Sequence, residues 1–466
     1  MPEKILFIAA NARSLIANRG DLIQEMKALG HHVHALIPEY DFLPEVEELG
    51  ISYDLIQLSR TGMDPRTDWK YYRQLRQFMA EWKPDIVYSY SIKPVIYGSL
   101  AAKSSNVPMI AAMITGMGYL FTGETLKQRV LRQVASSLYR RGLAAADRIF
   151  FQNPDDLALF RELGIIGPED EAKITRTNGS GINLERFPSS PPPMPPAEPV
   201  TFLMIARLLQ DKGVREFVRA AEMLRSDYPK AQFVVVGPHD PLLPHALPAD
   251  ELEQWKVNGA VSFVGGVKDV RPFLKECSVY VLPSYREGTP RSVLEAMATG
   301  RPVITTDTPG CRETVVDWVN GFLVPVKSAE GLAARMKIFL RQPDLIDVMG
   351  RNSLGLAGDK YDVRLVNRII LEALGLVEPL PEEPETSQPE WPHPQETAQS
   401  ASTRKTREQL QQKHLQKQPQ KELDQQTQKR QEQRQNQVQT AKQSQKQPNE
   451  QKQKPATRDE RIEATA

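Results

Sequence analysis

The segment that decides the fold is SYREGTPRSVLEAMATGRPVITTD, residues 284–307. A short apolar run, typical of a buried strand, precedes the segment, and another lies near its end. Between the two runs the pattern predicts a helix over about 290–299, which Thr289 would cap. Pro290 then takes the first helical position, and Gly300 follows the last turn. A strand, a capped helix and a second strand form the repeating unit of a parallel α/β sheet.

Two glutamates accompany this helix. Glu287 stands in the loop before it and Glu295 stands within it, with seven residues between them. The free backbone N–H groups and the positive dipole end of a helix N-terminus favour an anion such as a nucleotide diphosphate. Two glutamates at this spacing are most often surface acids, but the capped helix between two strands favours a functional pair. The segment therefore predicts a phosphate site flanked by two carboxylates.

The same alternation of apolar runs and amphipathic stretches extends over both halves of the chain, as parallel sheets covered by helices require. In the first half the predicted strands are Ile5 to Ala9, Val33 to Ile37, Ile86 to Tyr88, Met109 to Met113, Arg148 to Phe151 and Lys173 to Thr175. In the second half they are Val200 to Ile205, Phe233 to Val236, Val261 to Val264, Val279 to Leu282 and Val303 to Thr305. Further predicted helices are Leu22 to Leu29, Trp69 to Trp82, Thr125 to Leu143, Leu332 to Leu340 and Val363 to Leu374. We therefore expect an α/β protein with two doubly wound domains.

A proline-rich run, PSSPPPMPPAEP at residues 188–199, separates the two halves. Its prolines remove backbone donors and fix φ, so neither a helix nor a strand can continue through it, and we interpret it as an interdomain linker. The expected domains are residues 1–187 and residues 200–360. A helix within 361–375 is expected to pack back on the first domain, and residues 376–466 form a tail.

The tail differs sharply in composition from the rest of the chain. It is rich in Pro and Glu from Glu382 onward, has 19 Gln in residues 409–453 and contains no aromatic residue after Trp391. Such a segment cannot bury enough apolar surface to offset its chain entropy, so disorder is expected. From residue 401 onward it carries 15 Lys and Arg against 8 Asp and Glu. We interpret it as a solvated extension or as a weak tether to anionic lipid, with RNA less favoured because acids interleave and aromatics are missing.

Composition excludes several classes of function. A net charge of +1 over 466 residues gives no global attraction to nucleic acid, which is not an expected partner. Only Cys277 and Cys311 are present, which excludes a disulfide scaffold or a cysteine-rich zinc site and suggests a reducing compartment. The apolar runs Ile5 to Ala10 and Met109 to Phe121 are too short for a secretory leader and a membrane span, respectively. We therefore expect a soluble or peripheral protein.

These segments resemble the retaining glycosyltransferases of family 4, whose E-x7-E signature matches Glu287 to Glu295. ARLLQDKGV, residues 206–214, is similar to the donor-phosphate motif of that family. Other matches in the second domain are VGP at 236–238, VSFVGGVKDV at 261–270 and GFLV at 321–324. Segments KPDIVYSYSIKPVIYGSLAAK (83–103), MITGMGYLFTG (113–123) and NGSGINLERF (178–187) resemble the subgroup that extends polyprenyl-diphosphate-linked sugars. The resemblance covers about residues 3–375 and implies the GT-B fold, two Rossmann-like domains facing each other across a cleft.

The donor site is expected on the second domain. Arg207 and Lys212 follow a strand end, where side chains reach the interdomain crevice, and two cations there can neutralise a diphosphate. The predicted donor-phosphate contacts are Arg207, Lys212, Gly288 and Thr289. The resemblance implies that Glu287 is the catalytic residue beside the transferred sugar and that Glu295 accepts hydrogen bonds from the ribose.

Neither a metal nor a cofactor is predicted. No D-x-D motif stands where a metal-dependent transferase would chelate its donor, and alternation puts His32 and His34 on one face of a strand, where they form no credible metal site with His31. Arg207, Lys212 and the helix N-terminus would take the place of a cation. The loop from Ile114 to Met117 lacks the histidine that many members of the family carry there, so no histidine-assisted step is predicted.

The resemblance implies that the acceptor binds mainly to the first domain. Candidate acceptor contacts are Asn11, Arg13, Lys93, Thr115 and Gly116. Arg13 and Lys93 either bind an acceptor diphosphate or are ordinary surface cations. The predicted helix over 125–143 carries an apolar stripe beside several basic residues, which suits core packing or docking on an anionic bilayer.

The resemblance thus implies a metal-independent, retaining transferase that moves a hexose or N-acetylhexosamine from a UDP-sugar to a polyprenyl-diphosphate-linked saccharide, in envelope polysaccharide or glycan biosynthesis. The alternatives are a UDP-sugar 2-epimerase on the same fold and a non-catalytic interaction protein that acts through its tail. A dehydrogenase is disfavoured because no G-x-G-x-x-G follows the first strand. The expected location is cytoplasmic and peripheral on the inner face of the plasma membrane.

Overall fold

Two parallel sheets organise the chain. A computed structural model describes residues 1–59, 64–116, 126–193, 195, 199–243 and 245–380, with only the backbone at 126–130. Each strand pairing within the two sheets is parallel. The predicted α/β class with two doubly wound domains is confirmed.

The first sheet has seven strands in the order β3-β2-β1-β4-β5-β6-β7. These are β1 (Lys4–Ile8), β2 (His32–Ile37), β3 (Ser52–Leu55), β4 (Ile86–Tyr90), β5 (Met109–Ile114), β6 (Arg148–Phe151) and β7 (Ile174–Arg176). The helices between them are α1 (Ala12–Ala28), α2 (Leu43–Glu48), α3 (Pro65–Trp82), α4 (Ser99–Ser104), α5 (Leu126–Ala144) and α6 (Pro154–Glu162). The strand order reverses between β1 and β4, and ligands of such sheets bind outside the carboxyl ends at this point.

The second sheet has six strands in the order β10-β9-β8-β11-β12-β13. These are β8 (Thr201–Ile205), β9 (Gln232–Val236), β10 (Ser262–Gly265), β11 (Val279–Leu282), β12 (Val303–Thr306) and β13 (Gly321–Val324). Its helices are α7 (Val214–Arg225), α8 (Ala249–Asn258), α9 (Arg271–Glu276), α10 (Arg291–Ala298) and α11 (Ala329–Arg341), and α12 (Asp344–Tyr361) and α13 (Val363–Ala373) follow. The strand order of this sheet reverses between β8 and β11.

Burial on both faces of the sheets explains the continuous apolar runs of the strands. In β1, Ile5 and Phe7 pack into one hydrophobic cluster, and Leu6 and Ile8 pack into another on the opposite face. All four side chains are fully buried. Burial of one such side chain contributes about 1.5–3 kcal/mol, so the sheet interior dominates the stability of this domain.

The last helix returns to the first domain. Val366 and Ile370 of α13 are fully buried in the same cluster as Ile5 and Phe7, and α13 packs against α1. The backbone N–H of Ile182 donates to the carbonyl of Tyr361 over 2.7 Å, which ties the end of the first domain to the start of α13. The chain thus crosses between the two domains twice.

Several elements were not predicted from the sequence, among them β3, β13 and α12. β3 is an edge strand of four mostly exposed residues, and β13 is also short, so neither produces a long apolar run. α12 mixes Gly, Ser and Asp with its apolar residues, which weakens its periodicity. The predicted helix from Leu22 covers only the second half of α1, because Asn11 caps α1 before a polar first turn.

The predicted disorder of the tail beyond residue 380 lies outside the described residues. Within the described ranges, no helix combines the length and the apolar character that crossing a membrane requires.

Candidate active site in the interdomain cleft

The site lies where the carboxyl edges of the two sheets meet. In the second domain, the loop from β11 to α10 carries Glu287 and Gly288. In the first domain, Thr115 and Gly116 directly follow β5. A Cβ atom on Gly116, whose φ is +116°, would lie 3.3 Å from the backbone nitrogen of Gly288. The loops of the two domains therefore touch beside the predicted catalytic glutamate.

Glu287 is held by a cation and a hydroxyl. The ammonium nitrogen of Lys212 lies 2.6 Å from Glu287 Oε1, and the Ser284 hydroxyl donates to the same oxygen over 2.7 Å. The backbone N–H of Glu287 donates to the carbonyl of Pro309 over 3.1 Å. Both charged side chains are mostly buried, with 13% of Lys212 and 17% of Glu287 exposed. The pair is thus fixed within the cleft wall.

Burial alone would lower the pKa of Lys212, but the negative charges of Glu287 and Asp211 outweigh this effect and raise it. The positive charge of Arg207 acts in the opposite direction, which shows that the two cations are near each other. Lys212 therefore stays charged at neutral pH. Its other N–H donors can serve an anionic ligand.

A close approach between two loops positions Lys212. The residue ends a single 3₁₀ turn, Gln210–Lys212, and Gly213 follows with a φ of +75° before α7 begins. A Cβ atom on Gly213 would clash with the carbonyl oxygen of Pro283. Only glycine satisfies both the left-handed backbone and this contact. The loop that bears Lys212 is therefore pressed against the loop that bears Glu287.

Arg207 follows β8 and is exposed. No described residue forms a hydrogen bond or an ion pair with its guanidinium group. It lies near the Lys212–Glu287 pair, as its effect on the pKa of Lys212 shows. The structure thus brings together the two predicted phosphate cations and Glu287.

The predicted cap of the helix is wrong in one detail. The N-cap is Pro290, which has an extended backbone, and α10 begins at Arg291. The hydroxyl of Thr289 does not cap the helix but donates to the carbonyl of Gln152 in the first domain over 3.3 Å. Contact between the domains therefore replaces the local capping bond. Gly300, with a φ of +81°, follows the last turn as predicted.

Glu295 is almost fully buried in α10. Its carboxylate accepts from the Arg291 Nε over 3.0 Å, one helical turn away. Burial raises its pKa, and the positive charges of Arg291, Arg186 and Arg13 partly oppose that rise. Arg13 belongs to the first domain, so a cation from across the cleft faces this carboxylate, whereas Arg186 stands next to Phe187, which packs into the core of the second domain. The role of Arg186 was not predicted, because nothing in its local sequence distinguishes it from a surface cation.

A set of bonds between the start of α6 and the second domain was also missed. The Asn153 side-chain amide donates to the carbonyl of Gly288 over 2.7 Å. Arg286 forms an ion pair with the buried Asp156, and Arg312 lies 3.2 Å from Asp155. Burial raises the pKa of Asp156, and Arg286 opposes that rise. The sequence signal that could have found these residues is their position immediately after β6, at the carboxyl edge of the sheet.

The predicted acceptor residues have different surroundings. Asn11 caps α1, accepting from the backbone N–H of Ser14 over 2.7 Å. Lys93 forms a 2.6 Å ion pair with the buried Asp68 of α3, so its charge is already neutralised. Arg13 is exposed, with its guanidinium 6.0 Å from the ring centroid of Phe42. Thr115 and Gly116 adjoin Gly288, and residues 117–125 lie outside the described residues.

Comparisons with known proteins identify both domains. Residues 19–177 match the model described as "Glycosyl transferase 4-like domain", and residues 189–354 match "Glycosyl transferases group 1". A relative from Campylobacter jejuni, named N,N'-diacetylbacillosaminyl-diphospho-undecaprenol alpha-1,3-N-acetylgalactosaminyltransferase, is 29% identical over 75% of this chain and 93% of its own length. A relative from Escherichia coli, named UDP-Gal:alpha-D-GlcNAc-diphosphoundecaprenol alpha-1,3-galactosyltransferase, is 25% identical over 61% of this chain and 73% of its own length.

Solved structures share the fold. Anabaena Alr3699/HepE in complex with UDP and glucose has a TM-score of 0.64 and 18% identity, covering 80% of this chain and 100% of that chain. WaaG, a glycosyltransferase involved in lipopolysaccharide biosynthesis, has a TM-score of 0.60 and 16% identity, covering 79% of this chain and 99% of that chain. The two domain models together match every strand of both sheets except β1, and the GT-B fold expected from the sequence is confirmed. The chain belongs to the family 4 glycosyltransferases and is an enzyme of the hexosyltransferase class.

Proposed function

We propose that this enzyme moves a hexose or an N-acetylhexosamine from a UDP-sugar to a polyprenyl-diphosphate-linked saccharide, with retention of configuration and without a metal ion. The observation that carries the proposal is the Lys212–Glu287 pair, with its 2.6 Å separation, in the cleft beside the start of α10. An exposed Arg207 adds a second positive charge at this position. A nucleotide diphosphate is the ligand that this arrangement suits.

The donor diphosphate would be neutralised by side chains and by the helix. Arg207 can chelate two phosphate oxygens through its planar guanidinium, while Lys212 acts as a point charge. The backbone N–H groups at the start of α10 add a positive partial charge. Glu295 would accept hydrogen bonds from the ribose hydroxyls. Structural neighbours of the same fold have been solved with UDP or with UDP-glucose bound, which supports a UDP donor.

Glu287 is positioned to contact the transferred sugar. Its Oε1 accepts from both Lys212 and Ser284, and no described residue donates to Oε2. We infer that Oε2 accepts a hydrogen bond from a sugar hydroxyl. This bond would orient C1 of the sugar toward the acceptor. The same carboxylate also holds Lys212 near the phosphate. Glu287 would therefore both orient the sugar and position the cation that neutralises the departing phosphate.

The chemical step that fits these residues is a front-face substitution. The bond from C1 to the phosphate oxygen breaks, and the bond from C1 to the acceptor oxygen forms on the same face of the sugar. The acceptor hydroxyl proton passes to the departing phosphate oxygen, so UDP leaves protonated there. Arg207 and Lys212 stabilise the negative charge that develops on this phosphate. No carboxylate needs to attack C1.

The names of two relatives support the acceptor class, because both describe transfer to a saccharide on an undecaprenyl diphosphate. The loop at Thr115 and Gly116 adjoins the donor loop, so an acceptor held on the first domain would reach the sugar. Arg13 is the candidate acceptor cation with an exposed charge, whereas Lys93 is committed to Asp68.

A donor screen tests the proposal. The purified chain is incubated with UDP-linked hexoses and N-acetylhexosamines, with or without a prenyl-diphosphate-linked saccharide in vesicles, and released UDP is measured. We expect release that requires both the lipid-linked saccharide and one donor class and that persists in EDTA. NMR of the product should show the anomeric configuration of the donor. Release that ignores the lipid, or a product of inverted configuration, would contradict the proposal.

A further inference from the structure

The outward side of α3 combines one tryptophan with four cations. Residues three and four positions apart share one side of a helix. The exposed residues on this side are Arg66, Trp69, Lys70, Arg73, Arg76 and Gln77, which we call the α3 face. The Trp69 indole is 59% exposed and stacks on the Tyr72 ring with 5.4 Å between centroids. The opposite side of the helix is apolar and packs into the core through Leu75 and Met79.

Two of the described acids adjoin the α3 face, but Asp64 accepts from the backbone N–H of Arg66 and Glu81 accepts from Gln77, so neither is paired with a cation of the face. Among the described residues, no carboxylate forms an ion pair with Arg66, Arg73 or Arg76. Lys70 donates to the side-chain amide of Gln57 over 2.8 Å, which is neutral. The buried acid of the same helix, Asp68, is engaged by Lys93. The face therefore presents an excess of positive charge beside an exposed indole.

A shallow groove of about 560 Å³ lies against this face. It is lined by Trp69, Lys70, Arg73 and Arg76 of α3 and by Ser104 and Ser105 at the end of α4. Guanidinium and ammonium groups are donors that phosphate oxygens accept from, whereas the Ser104 hydroxyl already donates to the carbonyl of Leu100 over 2.8 Å. An indole beside them suits the boundary between headgroups and acyl chains, where tryptophan is enriched.

The α3 face begins next to the cleft. Asp68, in the first turn of α3, accepts from Lys93 over 2.6 Å and from the Tyr97 hydroxyl over 3.0 Å. Both partners belong to the segment directly after β4, at the carboxyl edge of the first sheet. The same edge carries Thr115 and Gly116. The first turn of the α3 face thus lies beside the opening through which an acceptor must enter, and Arg73, Arg76 and the groove extend from there toward the amino edge of the sheet.

We propose that the α3 face docks the first domain on an anionic bilayer, with phospholipid phosphates in the groove and Trp69 at the interface. The proposal rests on the membrane-borne acceptor of the proposed function and names the surface that reaches it. Charge complementarity selects the bilayer as the partner. A single-stranded nucleic acid binds along a series of stacking aromatics, whereas this face offers one exposed indole.

The sequence left α5 with two interpretations, core packing or docking on an anionic bilayer, and its surroundings differ from those of the α3 face. Ala135, Tyr139 and Leu143 form its buried side and pack into the core, whereas Val134 of the predicted apolar stripe is 46% exposed. Arg140 donates to the carbonyl of Gly164 over 2.5 Å and is therefore partly engaged. The side chains of its first five residues lie outside the described ones. The α3 face has the stronger observations among the described residues.

Vesicle co-sedimentation of the full chain tests the docking surface. The probes are vesicles of phosphatidylcholine with 30 mol% phosphatidylglycerol, and pure phosphatidylcholine vesicles at the same salt. The test variant carries Arg66→Gln, Arg73→Gln and Arg76→Gln, and its matched control carries Lys230→Gln, Lys268→Gln and Lys275→Gln, three exposed cations of the second domain. We expect the test variant to bind anionic vesicles about 100-fold more weakly, and the control to stay within about threefold of the parent chain.

A fluorescence readout localises the contact. Vesicles that carry brominated acyl chains quench an indole that enters the interface. We expect quenching in the parent chain and a clear loss of it in Trp69→Phe, although that variant keeps the cations and still sediments. All four substituted side chains are exposed, so we expect each variant to fold. Circular dichroism of each variant checks this.

The outcomes separate the two proposals. If the parent chain ignores anionic vesicles, docking is overturned, while lipid-dependent UDP release still decides the proposed function. If the test variant binds like the control, or if only Lys127→Gln, Arg129→Gln and Arg132→Gln on α5 abolish binding, the α3 face is not the docking surface. Tighter binding to polyuridine than to vesicles, lost in the test variant, would replace the bilayer by RNA and overturn the proposal.

Discussion

At the scale of single residues, the cleft depends on charges that are held within a few ångströms by backbone geometry. Glu287, Lys212 and Arg207 could be selected from the sequence because they stand at strand ends next to a capped helix. Gln152 could not, since its importance comes from a contact with the other domain, and nothing in the local sequence marks Arg186. Sequence spacing indicates which residues come directly after a strand, but it does not indicate which loop of a second sheet will face them.

The close contact at Gly213 gives a stability prediction. Gly213→Ala places a methyl group in the left-handed region and against the Pro283 carbonyl, so we expect a loss of about 2–4 kcal/mol in the free energy of unfolding. Gly358→Ala is the matched control, because it lies in α12 with no atom within 4 Å of the new Cβ. It should gain about 0.5–1 kcal/mol. Urea unfolding measures both, and equal effects at the two sites would show that the Gly213 contact is not tight.

Glu295 should oppose stability while it supports binding. Its raised pKa means that the ionised carboxylate is disfavoured in the folded chain. The resulting loss in the free energy of unfolding is complete above the raised pKa. It decreases as the pH falls from the raised pKa toward the ordinary pKa of a glutamate. We therefore expect Glu295→Gln to melt at a higher temperature than the parent at pH 8, with the difference shrinking under acid conditions.

The same substitution should weaken UDP binding, because a ribose hydroxyl then loses a charged acceptor. We expect a Kd for UDP about 10–100-fold higher at pH 8. Titration calorimetry of Glu295→Gln and of the exposed control Glu276→Gln measures it. Unchanged UDP affinity in Glu295→Gln would remove this residue from the donor site.

At the scale of elements, the loop before α10 and the residues at the start of α6 form hydrogen bonds across the cleft. The sequence predicts α10 well because the strands around it are apolar and its last turn ends at a glycine. It misplaces the cap, because the Thr289 hydroxyl donates to Gln152 of the other domain instead. Edge strands such as β3 are missed for a related reason: burial by neighbours, which periodicity depends on, is weak there.

The contact of α6 with the second domain predicts a coupled loss of stability and binding. Asp156→Asn removes the charge that pairs with Arg286, which should cost about 1–3 kcal/mol and raise the Kd for UDP by loosening the loop of Glu287. Arg312→Gln breaks the more exposed pairs with Asp155 and Asp307 and should cost less than about 1 kcal/mol. Urea unfolding and UDP titration compare the two. Equal costs, or full UDP affinity in Asp156→Asn, would show that this contact does not position the loop.

At the scale of the whole molecule, the two-domain architecture follows from the repeated alternation of buried strands and amphipathic helices. The proline-rich linker and the return of α13 to the first domain complete it. Contacts between the domains are the part that sequence patterns leave undetermined, because they join residues more than a hundred positions apart. The near-neutral total charge likewise hides the local excess on the α3 face and the cations of the cleft.

One measurement tests most directly whether turnover depends on the Lys212–Glu287 pair. UDP release that requires the lipid-linked acceptor is compared among Glu287→Gln, Glu276→Gln and the parent chain. We expect Glu287→Gln to lose at least about 100-fold in turnover, as when a preorganised group is removed, while calorimetry shows UDP bound within about threefold of the parent. Glu276→Gln should match the parent in both measurements. Full turnover by Glu287→Gln would show that the chemistry does not depend on the Lys212–Glu287 pair and would contradict the proposed mechanism.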